Sequence, residues 1–145
     1  FYLGGSGGSN YLDDYEEGDW TPTLRGNNTN SSPEIQGTGR YTKIGRAVHI
    51  QYTFANIDGT DLPAGEYVQV HGLPYTISRT HVASHGMNYN IDFNNTYEYY
   101  FYVPSGHTKM WGYYNRDGNT YQSEGTDQWR NAAVYHDNNV VYMTT

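Results

Sequence analysis

Five carboxylates fall within seven residues, Asp13, Asp14, Glu16, Glu17 and Asp19. Ca²⁺ takes several carboxylate oxygens at once, but the spacing is not that of a D-x-[DN]-x-[DN]-G loop, and a run of like charge reads first as a solvated corner. His81 and His85, in HVASH, lie four apart. On a strand they share a face at a separation of about 13 Å, too far for one metal. On a helical turn they could share Zn²⁺, yet no helical pattern surrounds them, so they read as surface or loop histidines. No metal site and no cofactor are expected. For catalysis the chain offers no G-x-S-x-G, no phosphate-cradling glycine loop with Lys, and no Cys. A glycosidase pair is assembled only in three dimensions, and nothing outside the N-terminal run ties two acids together. The chain reads as non-enzymatic. Asn27, Asn30 and Asn94 each open an N-x-[ST] triplet. Chance accounts for such triplets in an Asn-rich chain, although Asn27 and Asn30 sit in the kind of loop a glycosylating host would modify.

The elements that must position any site are strands. Among 145 residues, 17 Tyr stand against 4 Phe, so most of the aromatic payload carries a hydroxyl suited to half-buried positions and interfaces. Leu and Ala are scarce, while Tyr, Thr, Val and Ile fill the regular stretches with Gly and Asn between them. A net charge of −7, from 15 acidic and 8 basic residues, excludes nucleic acid as a partner, since phosphate neutralisation needs clustered cations. No apolar run reaches the roughly 18 residues of a membrane span. With no Cys, stability must come from packing or assembly. The chain begins with Phe and shows no signal-like stretch, which reads as a processed or excised piece.

AVHIQYTFA is the clearest strand, with Val48, Ile50, Tyr52 and Phe54 on one face. RYTKI precedes it across a Gly45-Arg46 turn, a hairpin. Thr21-Pro22 is extended, and residues 25–39 read as a loop. YVQVHGLPYTI is a strand broken at Gly72 and Pro74. MNYNIDF, with Met87, Tyr89, Ile91 and Phe93 on one face, turns at Asn94-Asn95 into TYEYYFYV. KMWGYY and NTYQS flank Asp117-Gly118, and NAAVYH and VVYMT flank a turn at Asp137-Asn138-Asn139. One short helical turn fits EGTDQWRNAA. The expected fold is all-β, a jelly-roll-like β-sandwich with an extended N-terminal segment. Residues 10–145 form its single domain. One strand is unusual, because Tyr100 and Tyr102 put aromatics on the face opposite Phe101 and Val103. A solvated face should be polar, so something covers it.

Two stretches, NYLDDYEEGDWTPTL at residues 10–24 and GRYTKIGRAVHI at residues 39–50, together with Gly72-Leu73-Pro74-Tyr75, resemble a β module of bacteriophage tail-fibre and related virion proteins. The module runs as D-Y-E-E-G-x-W-T-P, then G-x-Y-x-K-I-G-x-x-V, then G-L-P-[FY]. The resemblance covers residues 10–75 and implies a fibre-protein fold, not a reaction. Read for structure, Tyr15, Trp20 and Leu24 pack a first strand, and Gly18, Gly39 and Gly45 make turns. Where the module would follow a stalk, this chain has instead an apolar tip on a swivel.

That tip is Phe1, Tyr2 and Leu3, ahead of Gly4, Gly5, Ser6, Gly7, Gly8 and Ser9. The linker spans about 20 Å when extended, enough to carry the tip off its own domain. Residues 1–9 read as a donor strand that completes a neighbouring copy, with Phe1 and Leu3 pointing into it. Such a head-to-tail contact builds rings or helical filaments. A linker or processing remnant is the competing reading of the same residues. The expected function is a structural protomer of an extracellular fibre, pilus-like or phage-fibre-like, on a cell surface or virion. Its partners would be other copies of itself. The alternative is a receptor- or glycan-binding module of a phage tail fibre, in which Tyr100, Tyr102, Trp111 or Trp129 stacks on sugar rings of surface glycans.

Overall fold

Alternation of apolar and polar residues along AVHIQYTFA places Val48, Ile50, Tyr52 and Phe54 inside and His49, Gln51 and Thr53 on the outer side, as that pattern requires. The computed structural model describes residues 14–28, 34–84, 86–91, 98–115, 122, 123 and 125–145. Its strands are β1 (Tyr15–Trp20), β2 (Thr23–Gly26), β3 (Ile35–Gln36), β4 (Thr38–Ile44), β5 (Ala47–Ile57), β6 (Val68–His71), β7 (His81–Ser84), β8 (Met87–Tyr89), β9 (Glu98–Val103), β10 (Lys109–Asn115), β11 (Gln122–Ser123) and β12 (Val134–Met143). They form two antiparallel sheets. The first has the order β1-β4-β5-β12-β8, the second β3-β2-β6-β10-β9-β7, with β11 added beside the far half of β10. The inner faces pack together in the all-β sandwich that the composition implies. Among the described residues the only helical element is a 3₁₀ turn at Thr126–Trp129, inside EGTDQWRNAA.

The core joins Val48, Ile50 and Phe54 of the first sheet to Leu24, Val68, Val70, Phe101, Val103 and Met110 of the second. At its centre is a fully buried His136, with the rings of Trp129, Phe101, Tyr52 and Phe54 centred 5.2, 5.4, 5.6 and 6.5 Å away. The imidazole Nε2 meets the Tyr52 hydroxyl at 3.3 Å, and Nδ1 meets Asn88 Oδ1. Asn138 Nδ2 also donates to the Tyr52 hydroxyl, at 3.3 Å. Buried polar atoms in an apolar core are thereby bonded to one another.

Several expectations change here. Asp137-Asn138-Asn139 is no turn, because β12 runs through it, paired with β5 on one side and β8 on the other. Asn138 points inward to Tyr52, while Asp137 and Asn139 take outer positions, so the polar trio keeps strand alternation. β8 does not pair with the strand after it, and Asp92, Phe93 and the Asn94-Asn95 turn lie outside the described residues. Asn90 has φ +60, a left-handed conformation that ends β8 after three residues. Met87 and Tyr89 are consequently exposed, while Ile91 packs on the core. β8 pairs with β12, and β9 pairs with β10 and β7. Residues 25–39 are not all loop, since β2, β3 and the start of β4 lie among them.

Gly45, at φ +57, makes the expected turn, but Gly18 and Gly39 sit in strand interiors. Gly18 is paired with Tyr41, and Gly39 with both Trp20 and Tyr52. A Cβ on Gly39 would lie 2.3 Å from Trp20 Nε1, and one on Gly18 would lie 2.9 Å from the Tyr41 ring. The missing side chains are what let these rings lie across the strand, where Trp20 meets Tyr52 edge-on at 5.8 Å. Gly39→Ala therefore displaces the indole and should lower unfolding free energy by about 1–3 kcal/mol in urea titrations. A loss under about 0.5 kcal/mol would show that the indole has room to move.

Candidate functional site

Each acid of the N-terminal run that the structure describes has its own partner on β1 or β4. Asp14 binds Lys43, Glu16 accepts from the Tyr41 hydroxyl at 2.7 Å, Glu17 accepts from Tyr15 at 2.5 Å, and Asp19 meets Arg40 at 3.1 Å. Hydroxyl donation from Tyr75 and then Tyr41 holds the Glu16 carboxyl below its ordinary range. The strand pleat turns neighbouring acids to opposite faces, so the run does not converge. Among the described residues no three His, Asp or Glu side chains gather as metal ligands. Asp13, His85, Asn30 and Asn94 lie outside the described residues, as do Phe1, Tyr2, Leu3 and the linker Gly4, Gly5, Ser6, Gly7, Gly8 and Ser9. His81 lies on β7.

Three of the four aromatic candidates do come together. The inward residues of β9 and β10 are Phe101, Val103, Met110 and Gly112, all buried, which turns Tyr100, Tyr102, Trp111 and Tyr113 to the outer face of the second sheet. Cross-strand pairing sets Trp111 opposite Tyr102 and Tyr113 opposite Tyr100. The rings of each pair are stacked, 5.5 Å apart at 16° for the first and 6.4 Å at 4° for the second, with Tyr102 edge-on to Tyr113 at 5.7 Å. The aromatics thus cover one another, which explains how a strand carries them on both faces. Trp129 does not join them. The 3₁₀ turn drives it to zero exposure against His136, and the 58–62 loop closes over it through a bond from the Gly59 N–H to the Asn131 carbonyl. It is a core residue and has no surface on which to stack a sugar.

The rest of this face was not singled out from the sequence. One rung crosses it as Arg25, Gln69, Trp111 and Tyr102 on adjacent strands. The signal lay in the alternation of VQVH and KMWGYY, which turns Gln69 and His71 to the same side as Lys109, Trp111 and Tyr113. Gln69 Oε1 accepts from His71 Nε2 at 2.7 Å and from Lys109 Nζ at 3.3 Å, while Lys109 Nζ also sits 5.4 Å over the Trp111 ring. Arg25 is bound to Glu34. Where β6 ends, a slot of about 220 Å³ opens between Tyr67 and Tyr113, lined also by Asn27, Gln69, Trp111 and Gly112. Asn27 accepts the Tyr67 N–H at 2.7 Å, so this Asn has a structural task on the slot rim.

The outer face of the first sheet differs. Tyr15, Ile44, Ala47 and Met143 are paired in one rung, and the next same-face rung carries Val141; Tyr15, Ile44, Val141 and Met143 are all exposed. At the opposite end of the sheet Met87, Tyr89 and Tyr135 form a second apolar group, with Tyr89 edge-on to Tyr135 at 5.9 Å. Between them runs a polar band of Asp19, Arg40, Gln51 and Asn139.

Comparison with protein-family models, curated proteins and solved structures found no match to this chain.

Burial, then the nearby charges of Lys109 and Arg25, push the His71 imidazole down to about 4 from 6.5. The ring is therefore neutral at pH 7 and donates to Gln69 as an uncharged group. The unfolded chain takes up that proton between pH 6.5 and about 4 while the fold does not, so this group's contribution to stability is whole above pH 6.5 and declines as pH falls to about 4. Proton NMR titration should give His71 a midpoint near 4 that rises toward 6.5 in Lys109→Gln. A midpoint already near 6.5 in the parent chain would mean that the ring is open to water.

Proposed function

We propose that this chain is a structural, non-enzymatic protomer of an extracellular fibre, assembling head to tail with other copies into a helical, pilus-like or phage-fibre-like filament. The observation that carries the reading is the pair of dissimilar apolar surfaces on opposite outer faces of one sandwich. The first sheet shows Tyr15, Ile44, Val141 and Met143 at one end and Met87 and Tyr89 at the other, and the second sheet shows Tyr67 beside the Trp111 ladder. Exposed apolar groups in contiguous rows mark contact surfaces. Two unlike surfaces on one protomer make contacts that propagate, whereas one self-complementary surface stops at a dimer. The resemblance of residues 10–75 to a phage tail-fibre module points the same way. In this reading residues 1–9 supply the link, an apolar tip reaching a neighbour across a Gly/Ser swivel. Cell surface or virion is the corresponding location.

A receptor- or glycan-binding module is the second reading, favoured by one observation: half-open aromatic side chains stand beside the amides of Asn27 and Gln69 around a slot. Both readings draw on the outer face of the second sheet, so they compete for Tyr67 and the Trp111 ladder.

Light scattering and negative-stain electron microscopy test the fibre. The full chain should form filaments or large oligomers. A chain lacking residues 1–9 should stay monomeric or aggregate without order. Val141→Asp with Met143→Lys, which leaves the tip intact, should shorten the filaments. Identical monodisperse particles from the full and shortened chains would sink strand donation. Filaments unchanged by the double substitution would remove the first sheet's apolar rows from the contact.

A further inference from the structure

The outer face of the first sheet carries an order of surfaces that recurs in the chain ahead of β1. Along the face, the apolar group of Ile44, Val141 and Met143 gives way to a polar band and then to Met87, Tyr89 and Tyr135. Residues 1–13 lie outside the described residues, and their sequence reads Phe1-Tyr2-Leu3, then six Gly and Ser, then Asn10 and Tyr11-Leu12. Both orders are apolar, polar, apolar. The spacings agree as well. The two groups on the face are about 20–27 Å apart along β12, from the rise of a strand. The two apolar parts of the segment are about 30 Å apart when extended, which leaves length for the sideways step from β12 to β8. The band between the groups is hollowed. Depressions of about 580 and 400 Å³ meet at Gln51 and Thr53, the first reaching Thr38 and Arg40 and the second Asp137 and Asn139. A run of Gly and Ser has no bulk to hold it off such a surface, and its backbone groups can meet the exposed Gln51 and Asn139 amides.

Other acceptors for an apolar tip are poorer. The inner positions of both sheets are filled by the chain's own side chains, Val48, Ile50 and Phe54 against Phe101, Val103 and Met110. At the sheet edges, β3, β7 and β8 offer two, four and three residues, and β1 carries Glu16, Glu17 and Asp19. Short or charged edges resist an added strand.

Direction decides whose face is covered. The Gly45 N–H donates to the Asp14 carbonyl at 3.0 Å and Tyr15 pairs with Ile44, so β1 starts at the Ile44–Met143 end of the sheet. Residues 1–13 join it there. On the chain's own face Tyr11 and Leu12 would stay at that end, and the tip would have to reach Met87 and Tyr89. Tyr89 lies about 33 Å from Tyr15, counting the rise along β12 and the strand spacings across the sheet. After a reversal at residues 10–13, the linker back to Leu3 spans about 20 Å at full extension and falls short. A copy placed beyond that end is reached with no reversal.

We propose that residues 1–12 of one copy lie across the outer face of the first sheet of the next. Tyr11 and Leu12 cover Met87, Tyr89 and Tyr135, the Gly/Ser run crosses the Gln51–Asn139 band, and Phe1, Tyr2 and Leu3 cover Ile44, Val141 and Met143. The inference rests on the fibre reading and names its acceptor surface. Each acceptor sends out its own segment from the end away from its donor, so the contact repeats in one direction and does not close on itself.

The chain has no Cys, so introduced cysteines report contact without background. Leu3→Cys or Leu12→Cys is placed in one full-length chain, and Val141→Cys or Met87→Cys in another. Val141 and Met87 are exposed, so neither change disturbs the core. The chains are mixed and oxidised, and linked peptides are identified by mass spectrometry; a disulfide needs Cα atoms within about 7 Å. Leu3→Cys should link to Val141→Cys, and Leu12→Cys to Met87→Cys, each at least tenfold more than the exchanged pairs. The same links in particles that stay short would keep the contact and overturn the fibre. Filaments in which neither expected pair links would overturn the acceptor face and leave the fibre standing. Dominance of the exchanged pairs would mean reciprocal exchange and overturn the head-to-tail order. Links formed only when both cysteines share one chain would place the segment on its own face and overturn the contact between copies. Absence of both links and filaments would overturn the acceptor and the fibre together.

Discussion

A polar ring enclosed by aromatics from both sheets fixes the register of β12 in the first sheet. His136 enters the core from β12, and Tyr52 and Phe54 reach it from β5, Phe101 from β9 and Trp129 from the 3₁₀ turn. An imidazole there without partners would cost the core more than a hydrocarbon would. The bonds to Tyr52 and Asn88 remove that cost, and they do so only in one register. A shift of β12 by one residue would send His136 and Asn138 to solvent and bring Tyr135, Asp137 and Asn139 inside. Apolar packing alone tolerates rearrangement, whereas a bonded polar centre does not. The continuity of β12 through three polar residues follows from this, because Asn138 is a donor to the Tyr52 hydroxyl and not a loop residue.

The same register decides what the outside presents. Once Phe101, Val103 and Met110 are committed inward, the pleat leaves Tyr100, Tyr102, Trp111 and Tyr113 no inner position. They are spared full exposure by stacking in cross-strand pairs, each ring shielding its neighbour. Stacking is a local solution with an edge. It gives way at the N-terminal end of β6, where Asn27, Tyr67 and Gln69 line a slot with Trp111 and Tyr113. Beyond β6 the partner of β10 changes, since β11 pairs with Tyr113 and Tyr114, and Tyr67 is bridged to Gly125.

Much of this was legible in the chain. Strict alternation made β5 readable residue by residue, and the Gly45-Arg46 hairpin followed from a turn wedged between two alternating runs. Pairing by sequence proximity failed at β8, since a single left-handed Asn90 stops the strand before it can reach the next one. Trp129 misled for a related reason. Its flanking residues are polar, EGTDQWRN, so nothing local shows that a single 3₁₀ turn aims it at His136; only the distant 58–62 loop and β12 make that pocket. Gly18 and Gly39 were read as turns because glycine is the usual turn residue. In fact they pair with aromatics whose rings need the space, a relation between strands that no single segment displays. The site's polar half was missed because Gln69 and His71 read as ordinary outward residues of a short strand. Their role emerges only when β10 brings Lys109 and Trp111 alongside.

Burial of a polar group can thus mean opposite things in the two halves of this molecule. His136 is buried and bonded at both ring nitrogens, and its chemistry is consumed in holding the fold. Gln69 is buried almost as deeply, yet it lies on the outer side of the second sheet, where its carbonyl accepts from His71 and Lys109 and so ties β6 to β10 across the surface.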